Sequence, residues 1–507
     1  MAELLEDTDP ETLRKAMLLD ERFSAPTPSQ DVEAKYYLKF EPPDFTDDTD
    51  RGRAIWFLYN FGNQILYNHG HWKKPSSRGY FHIWNNIYWE PDDSNKINDL
   101  VNQGIKSLHL ECALGNNNKS NQSILNYIKK LSSYKTAQYM LEWVKTNQDI
   151  AVHVEDMDTN PYLIGLKNGV YDLEHMTFLS PTGKDKPRQS DRISRVANVV
   201  FDEEAGCPRW MEFLNLIFEG DQEMIAFIHR ALGYTFYGKS GEKIFFILLG
   251  KTGQNGKSTF IKTLQMVFGD YSRTMAFKTL LKNQKEDPNS ARSDIVRLSG
   301  ARFVSAIEPD AGKKLSDGIV KLLTGGSDVI TARTFYKEEI EFDVSFTIWL
   351  ACNNHPDITG HDPAIWNRVK QIEFNHQITK PIKDYETVLI PEAAGIFNWC
   401  IEGWRDYRER ISRGKDGLGC PPKVIRSTEE YHQEMDYMGA FIKECCWTVD
   451  KTAREGAKEL HQRFVEWGDG EYEVSNTLFG RFMKALGYVT YSDGKKRYYK
   501  GIRIKTM

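Results

Sequence analysis

Three short clusters in this chain join residue types that handle phosphate groups. The first is G-K-T-G-Q-N-G-K-S-T, residues 250–259, which follows the unbroken apolar run at 244–249. Gly250, Gly253 and Gly256 allow backbone conformations that turn consecutive N–H groups around an anion. A helix starting near Lys257 adds the positive end of its dipole. Lys257 is placed to reach the β- and γ-phosphates of a nucleotide, and Ser258 to hold magnesium. The candidate nucleotide contacts are therefore Gly250, Gly253, Gln254, Asn255, Gly256, Lys257, Ser258 and Thr259. The usual spacing, G-x-x-x-x-G-K-[ST], puts a glycine where Lys251 stands. Either the loop is one residue longer, or Gly253 does the first glycine's work.

The second cluster closes a second expected buried strand, residues 301–307, on Glu308, with Asp310 two further on. A carboxylate at the tip of a strand neighbouring the phosphate loop can polarise an attacking water and help bind magnesium. Which of the two orients water and which assists the metal is open at this point. The third run, 345–352, ends on Asn353-Asn354-His355-Pro356. A strand-end asparagine beside a γ-phosphate can hydrogen-bond the attacking water or report hydrolysis. Downstream, Arg368 offers a fixed-charge guanidinium able to stabilise a transferring phosphoryl if a neighbouring subunit presents it. Between these clusters, residues 321–337 read as a helix end, a glycine turn and a strand whose tip carries Arg333 and Lys337. A hairpin with a basic and aromatic tip suits a single nucleic-acid strand, whose phosphates take the charges while bases rest on the ring; an ordinary solvated hairpin is the competing reading.

These positions need a scaffold. The run at 244–249 is too short for a helix and apolar without a gap, as in a central strand of a parallel sheet buried on both faces. Residues 206–242 space their apolar side chains as two amphipathic helices, a cap against the nucleotide domain. The phosphate-loop helix should run to Gly269, and the lysine-rich stretch 277–294 reads as a surface connection. Earlier, 81–91 alternates like a hairpin strand, 123–145 is helical, and 163–181 reads as strand, tight Asn168-Gly169 turn and strand. Trp84, Tyr88 and Trp89 fit a core better than a base-stacking surface. From 437 onward, three helices and two short strands follow in the order of a winged helix. Arg481, Lys484, Lys495, Lys496, Arg497, Lys500 and Lys505 concentrate charge on its third helix and wing, the geometry of major-groove reading; docking on a protein is the alternative.

At 507 residues the chain is too long for one core. Lys plus Arg is 66 and Asp plus Glu 71, a net charge of −5, which excludes no nucleic-acid partner because clustering, not the total, decides. No apolar run reaches membrane-spanning length, and the acidic N-terminus is unlike a signal peptide, so a cytoplasmic protein without membrane contact is expected. Seven cysteines without a C-x-x-C pair read as reduced structural thiols.

Taken in order, the phosphate loop, the strand with terminal Glu308, the K-x-x-T-G-G-S hairpin, the strand ending C-N-N-H-P and the W-N-R segment resemble the superfamily 3 helicases. The branch is the phage and plasmid primase–helicases, which includes the poxvirus enzymes. Residues 166–173, L-K-N-G-V-Y-D-L, are similar to the N-G-V-x-D-L turn of the domain preceding the motor, and 392–399 to the segment after its arginine. The resemblance spans 80–507 and is densest from 244 to 405. It implies an α/β chain: an AAA+-like P-loop NTPase motor with a parallel central sheet, an α+β N-terminal domain and a C-terminal winged helix. The expected segments are an acidic flexible arm at 1–53, the N-terminal domain at 54–205 and a helical collar at 206–242. The motor at 243–405, a linker at 406–436 and the winged helix at 437–507 follow. Such a motor forms a homo-oligomeric ring, usually a hexamer, hydrolyses ATP with Mg2+ between subunits and draws single-stranded DNA through its channel, normally 3′ to 5′.

By the same resemblance Lys257 and Ser258 contact phosphate and magnesium, Glu308 is the catalytic carboxylate and a magnesium contact, and Asn353 is the sensor. Arg368 is the finger acting in trans, with Lys313 or Lys314 as a second trans contact. Arg333 and Lys337 lie on the DNA hairpin. Asn367 stands where many relatives carry another arginine, which leaves the finger to Arg368 alone. The expected role is an ATP-dependent helicase that initiates replication of a phage, plasmid or genomic island, with origin DNA read by the winged helix and replication proteins of host or element as partners. Two other readings stand beside it, a nucleotide-gated DNA-binding switch and the helicase half of a primase–helicase.

Overall fold

The structure is a computed structural model. It describes residues 40–70, 79–114, 118–250, 253–281, 292–307, 314–326, 329–333, 339–358, 363–379, 382–448, 452–469, 474–488, 490–492, 494 and 496–505. It divides into two compact units, Met1–Arg195 and Val196–Met507.

In the first unit, α1 (Asp50–Phe61) starts within the acidic stretch expected to be a flexible arm. Thr49 caps it, its hydroxyl accepting from the Gly52 N–H at 3.0 Å. Arg53 is buried and pairs with Asp48 and Asp50, so the acidic residues are held by a cation that needs them. Phe40 and Phe45 pack on the same core, and order begins at least ten residues before Ala54. Strands β1 (Ile65–Asn68), β2 (Tyr80–Trp84) and β3 (Trp89–Pro91) follow, then helices α2 (Ile97–Leu114), α3 (Asn118–Leu131) and α4 (Tyr134–Val144), and β4 (Ala151–Val152). The stretch 81–91 is a full hairpin, Trp84 facing Trp89, in a sheet ordered β3-β2-β1-β4. The helical stretch 123–145 breaks at Ser132-Ser133, where serine competes for backbone hydrogen bonds. Strands β5 (Leu163–Leu166), β6 (Gly169–Asp172) and β7 (Thr177–Leu179) form a meander. Its first turn is Lys167-Asn168, since Leu166 already faces Gly169. Gly169 is glycine for another reason: a Cβ there would sit 2.4 Å from the Leu179 carbonyl oxygen on β7.

The second unit opens with the two expected helices, α5 (Pro208–Ile217) and α6 (Gln222–Tyr237). Its centre is a five-stranded, wholly parallel sheet of β8 (Phe245–Leu249), β9 (Ser272–Ala276), β10 (Phe303–Ile307), β13 (Thr347–Cys352) and β14 (Val369–Glu373). The order is β14-β8-β13-β10-β9. All five residues of β8 are buried, as an apolar run covered on both faces requires. The strand leading to Glu308 is therefore not the neighbour of the phosphate-loop strand; β13 lies between them. Helix α7 (Lys257–Phe268) ends at Gly269 as expected. The lysine-rich connection begins inside the core rather than on the surface, with Phe277 and Leu280 buried under the sheet, because these two side chains are apolar. Helix α8 (Asp317–Leu323) leads to the antiparallel hairpin of β11 (Val329–Arg333) and β12 (Glu339–Asp343).

After the single turn α9 (Pro363–Trp366), the unit continues through β14 to α10 (Ala393–Ser412) and α11 (Pro422–Met435). Helix α11 occupies the stretch expected as linker. It seals the exposed edge of β14, where Thr428 Oγ1 accepts from the Gln371 N–H at 3.0 Å and the Ser427 hydroxyl donates to the Gln371 carbonyl at 3.0 Å. Beyond it come α12 (Tyr437–Cys445), β15 (Cys446–Trp447), β16 (Arg454–Gly456), α13 (Ala457–Trp467), α14 (Asn476–Ala485), β17 (Thr490–Ser492), β18 (Arg497–Lys500) and β19 (Arg503–Ile504). Three helices stand where the sequence led us to expect them, but β15 and β16 come between the first two and three short strands, not two, follow the third, around a core that includes Phe441, Phe464, Phe479 and Met483. No helix among the described residues is long and apolar enough to cross a membrane.

Candidate nucleotide site

In a parallel sheet all strands present their carboxyl ends to one edge, where ligands of such folds bind. Residues 250 and 353 each follow directly after one of two adjacent strands, β8 and β13. Gly250 prolongs the ladder, its N–H donating to the Cys352 carbonyl at 3.2 Å. Lys251 and Thr252 lie outside the described residues. The loop then turns through two left-handed residues, Gln254 (φ 60) and Gly256 (φ 84), the second being the N-cap of α7.

Lys257 opens that helix, yet its side chain folds back over the loop. Its Nζ donates to the Gly250 carbonyl at 2.8 Å and to Asn353 Oδ1 at 3.0 Å. The residue is only 7% exposed, and burial pushes its pKa below the usual lysine value. Among the described residues no carboxylate pairs with it. A buried ammonium held only by neutral oxygens is matched to an incoming anion.

Of the two glycines that could serve as the first of the motif, Gly250 is the closely packed one. A Cβ there would sit 2.0 Å from Asn255 Nδ2 and 2.5 Å from Lys257 Nζ, while one on Gly253 meets nothing within 4 Å. The displaced first glycine of the motif is thus still at the site, and Gly253 does not take its work. Gly250→Ala is expected to weaken ATP-analogue binding by about tenfold or more, Gly253→Ala by only about twofold, in calorimetric titrations. Equal losses would contradict the difference in packing.

Residues 254–259 form one wall of a cavity of about 260 Å³. Opposite stand Phe213 and Leu216 of α5, with Ile378, Ile382 and Tyr385 from the segment after β14. Sequence reasoning missed these five, since apolar residues on a helix or loop carry no signature of their own. Ile378 is latched to the loop, its N–H donating to the Gln254 carbonyl at 2.8 Å. Helix α5 presses directly on Gly256, where a Cβ would meet Ile217 Cγ2 at 2.7 Å. Glu392, in the segment noted after the arginine, anchors α5 by accepting from the Arg209 and Trp210 N–H groups at 3.1 and 3.0 Å. One end of the cavity carries a buried cation and the hydroxyl-bearing Ser258 and Thr259; the other is apolar and aromatic, of a size and chemistry that suit a nucleobase.

The other predicted residues distribute as follows. Glu308 and Asp310 lie outside the described residues, as do Lys313, Lys337 and Lys495. Lys314 is exposed, its backbone in an isolated parallel β-bridge with that of Asp357. Arg333 ends β11 opposite Glu339. Arg368 stands at the opposite edge of the sheet from the cavity: its carbonyl accepts from Phe245, the first residue of β8. Its Nε donates to Thr324 Oγ1 at 3.1 Å and its Nη1 to the Ala364 carbonyl at 2.6 Å. In the C-terminal elements Lys484, Lys496, Arg497 and Lys500 are exposed, and Arg481 lies on α14. Lys496 pairs with Glu459 at 3.3 Å, Lys500 lies over the Tyr491 ring at 4.6 Å, and Lys505 donates to the Lys443 carbonyl at 2.7 Å.

Residues 62–219 match the family described as D5 N terminal like. A protein of Acanthamoeba polyphaga mimivirus provisionally named a helicase is 30% identical over 65% of this chain and 35% of its own length. A similarly named protein of Invertebrate iridescent virus 3 is 24% identical over 67% of this chain and 38% of its own. A protein of African swine fever virus provisionally named a primase is 22% identical over 91% of this chain and 50% of its own. The chain spans half or less of the length of these relatives. The solved C-terminal region of NrS-1 aligns at 14% identity over 59% of this chain and 78% of its own, with a TM-score of 0.34, too weak a likeness to bear on the fold. The matched domain and the viral relatives support a primase–helicase family of the D5 type for this chain.

Proposed function

We propose that this chain is an ATP-driven DNA helicase motor of AAA+ type that works as a homo-oligomeric ring, a hexamer, in the cytoplasm of a bacterial or other host cell. One observation carries the reading: a buried Lys257 ammonium, bonded to Asn353 and to no described carboxylate, at the phosphate end of a cavity whose other half is apolar. Lys257 binds the β- and γ-phosphates, Asn353 contacts the attacking water or the γ-phosphate, and Glu308 polarises that water. Ser258 and Glu308 would hold magnesium, which neutralises charge on the bridging phosphate oxygens. The apolar wall formed by Phe213 and Tyr385 takes the base. Arg333 and Lys337 on the β11–β12 hairpin grip single-stranded DNA. The C-terminal elements act as a winged helix on origin duplex, with Arg481, Lys484, Lys495, Lys496 and Arg497 toward phosphates and base edges. The helicase half of a longer primase–helicase is a second reading, favoured by relatives of whose length this chain spans half or less, one of them named a primase.

A forked-duplex assay tests the motor. Wild-type chain is expected to separate the strands with ATP, in a 3′ to 5′ direction and as an oligomer. A chain that stays monomeric with nucleotide and DNA, or that binds but never unwinds, would favour a nucleotide-gated switch. For the winged helix, Lys484→Glu and Arg497→Glu are expected to weaken duplex binding, each lowering the slope of log K against log salt by about one. An unchanged slope removes these residues from the DNA surface.

A further inference from the structure

We propose that helix α11 is a positioning element that holds the Asn353 loop and the Arg368 segment in one frame, with Tyr431 and Glu434 as its contacts. The Asn353 loop leaves β13 and runs through His355 and Pro356. His355 Nδ1 lies 2.6 Å from Glu434 Oε2, and its ring stacks on Tyr431 with centres 4.2 Å apart and planes 19° from parallel. The Tyr431 hydroxyl donates to the Pro356 carbonyl. Two successive residues of the loop are thus fixed to the helix, starting two positions after the side chain that touches Lys257.

The same fully buried Tyr431 ring meets Trp366 edge-on at 5.0 Å and 80°, and the next residue, His432, stacks on Trp366 at 4.4 Å. Trp366 stands two positions before Arg368, whose guanidinium reaches Thr324, the residue closing α8. The β11–β12 hairpin begins a few residues beyond. Helix α11 itself cannot slide freely, being bonded to β14 through Gln371 and Ser427. A buried aromatic ring between two segments couples them, because close-packed interiors shift between discrete arrangements rather than yielding smoothly. Movement of Asn353 on loss of a γ-phosphate therefore reaches Trp366 and the arginine that serves the neighbouring subunit. This catalytic consequence rests on the ATPase reading above; the mechanical link does not.

Two measurements on the full chain separate these layers, using Tyr431→Phe, which keeps the ring and deletes one bond, and the pair Glu434→Ala and Glu434→Gln. In nucleotide-free protein, hydrogen exchange at 353–358 and at 364–368 is expected to rise together, on the order of tenfold in Tyr431→Phe and Glu434→Ala, with β8 unchanged. Loosening confined to 353–358 overturns the link, whatever the hydrolysis rate. In steady state, kcat is expected to fall about tenfold to a hundredfold while KM for ATP stays within about twofold, and Glu434→Gln to recover most of the loss. Wild-type kcat in both Tyr431→Phe and Glu434→Ala overturns the positioning role and leaves the ATPase reading standing. A wild type that hydrolyses nothing removes the ATPase reading, and the exchange result then decides the link alone.

Discussion

Lys257→Met is expected to give a folded chain whose ATP hydrolysis falls on the order of 10²–10³-fold, the scale of losing one preorganised charged donor at a transferring group. Methionine keeps the length and burial of the lysine stem and removes only the ammonium. In the nucleotide-free chain that ammonium has lost water and gained two neutral acceptors, Gly250 O and Asn353 Oδ1, an exchange that disfavours the charged form. Stability should move opposite to activity. A lysine whose folded pKa is lowered binds fewer protons folded than unfolded, so its penalty is complete below the folded value and vanishes as pH passes the unfolded value of about 10.4. Lys257→Met should therefore melt no lower than wild type at neutral pH, and any advantage should shrink on going alkaline. A variant that melts several degrees lower would mean that the ammonium is a structural strut, and the inference that it awaits an anion would fail.

Much of this candidate site is legible in sequence because shaping a loop for a phosphate is a backbone task. Glycines, a buried strand before them and a lysine after them are all one-dimensional signals, and G-K-S-T after residues 244–249 carried them. The hairpins at 81–91 and around Asn168 were legible for the same reason, since alternation and turn chemistry are local. What the sequence withheld is lateral. The spacing of Lys257 and Glu308 says nothing of a strand inserted between theirs, and β13 enters the sheet from 40 residues downstream of β10. Phe213, Leu216 and Tyr385 are ordinary apolar residues until two distant segments close on one loop. Helix α11 hid as a linker because its mean composition is polar; its few buried contacts, Val424, Ser427 and Tyr431, all fall on one side, toward β14 and the Asn353 loop. The acidic stretch before Ala54 misled in the opposite direction: in its described part, 40–53, buried Arg53 pairs with Asp48 and Asp50 while Phe40 and Phe45 pack on the core.

Arg368→Ala is expected to lower hydrolysis on the order of 10³-fold while leaving ATP binding to each chain intact, because an arginine finger acts on transition-state charge. Its place in the sheet is the reason to assign it to a neighbour's site. Arg368 adjoins Phe245 at the start of β8, whereas the phosphate loop begins after Leu249 at the far end. Five strand residues at about 3.3 Å each separate the two, roughly 16 Å, beyond the span of one side chain. In a ring the two edges of successive subunits can meet, which a single chain cannot arrange for itself. Mixing makes the point testable: Lys257→Met chains and Arg368→Ala chains, each inactive alone, should regain activity together. With equal amounts and random assembly, roughly a quarter of the interfaces would pair an intact Lys257 with an intact Arg368. Recovery of that order, absent when the two changes are placed in one chain, is the expected outcome. No recovery in rings verified to contain both chains would return Arg368 to the role its bonds to Thr324 and Ala364 already give it, a brace at the root of the hairpin.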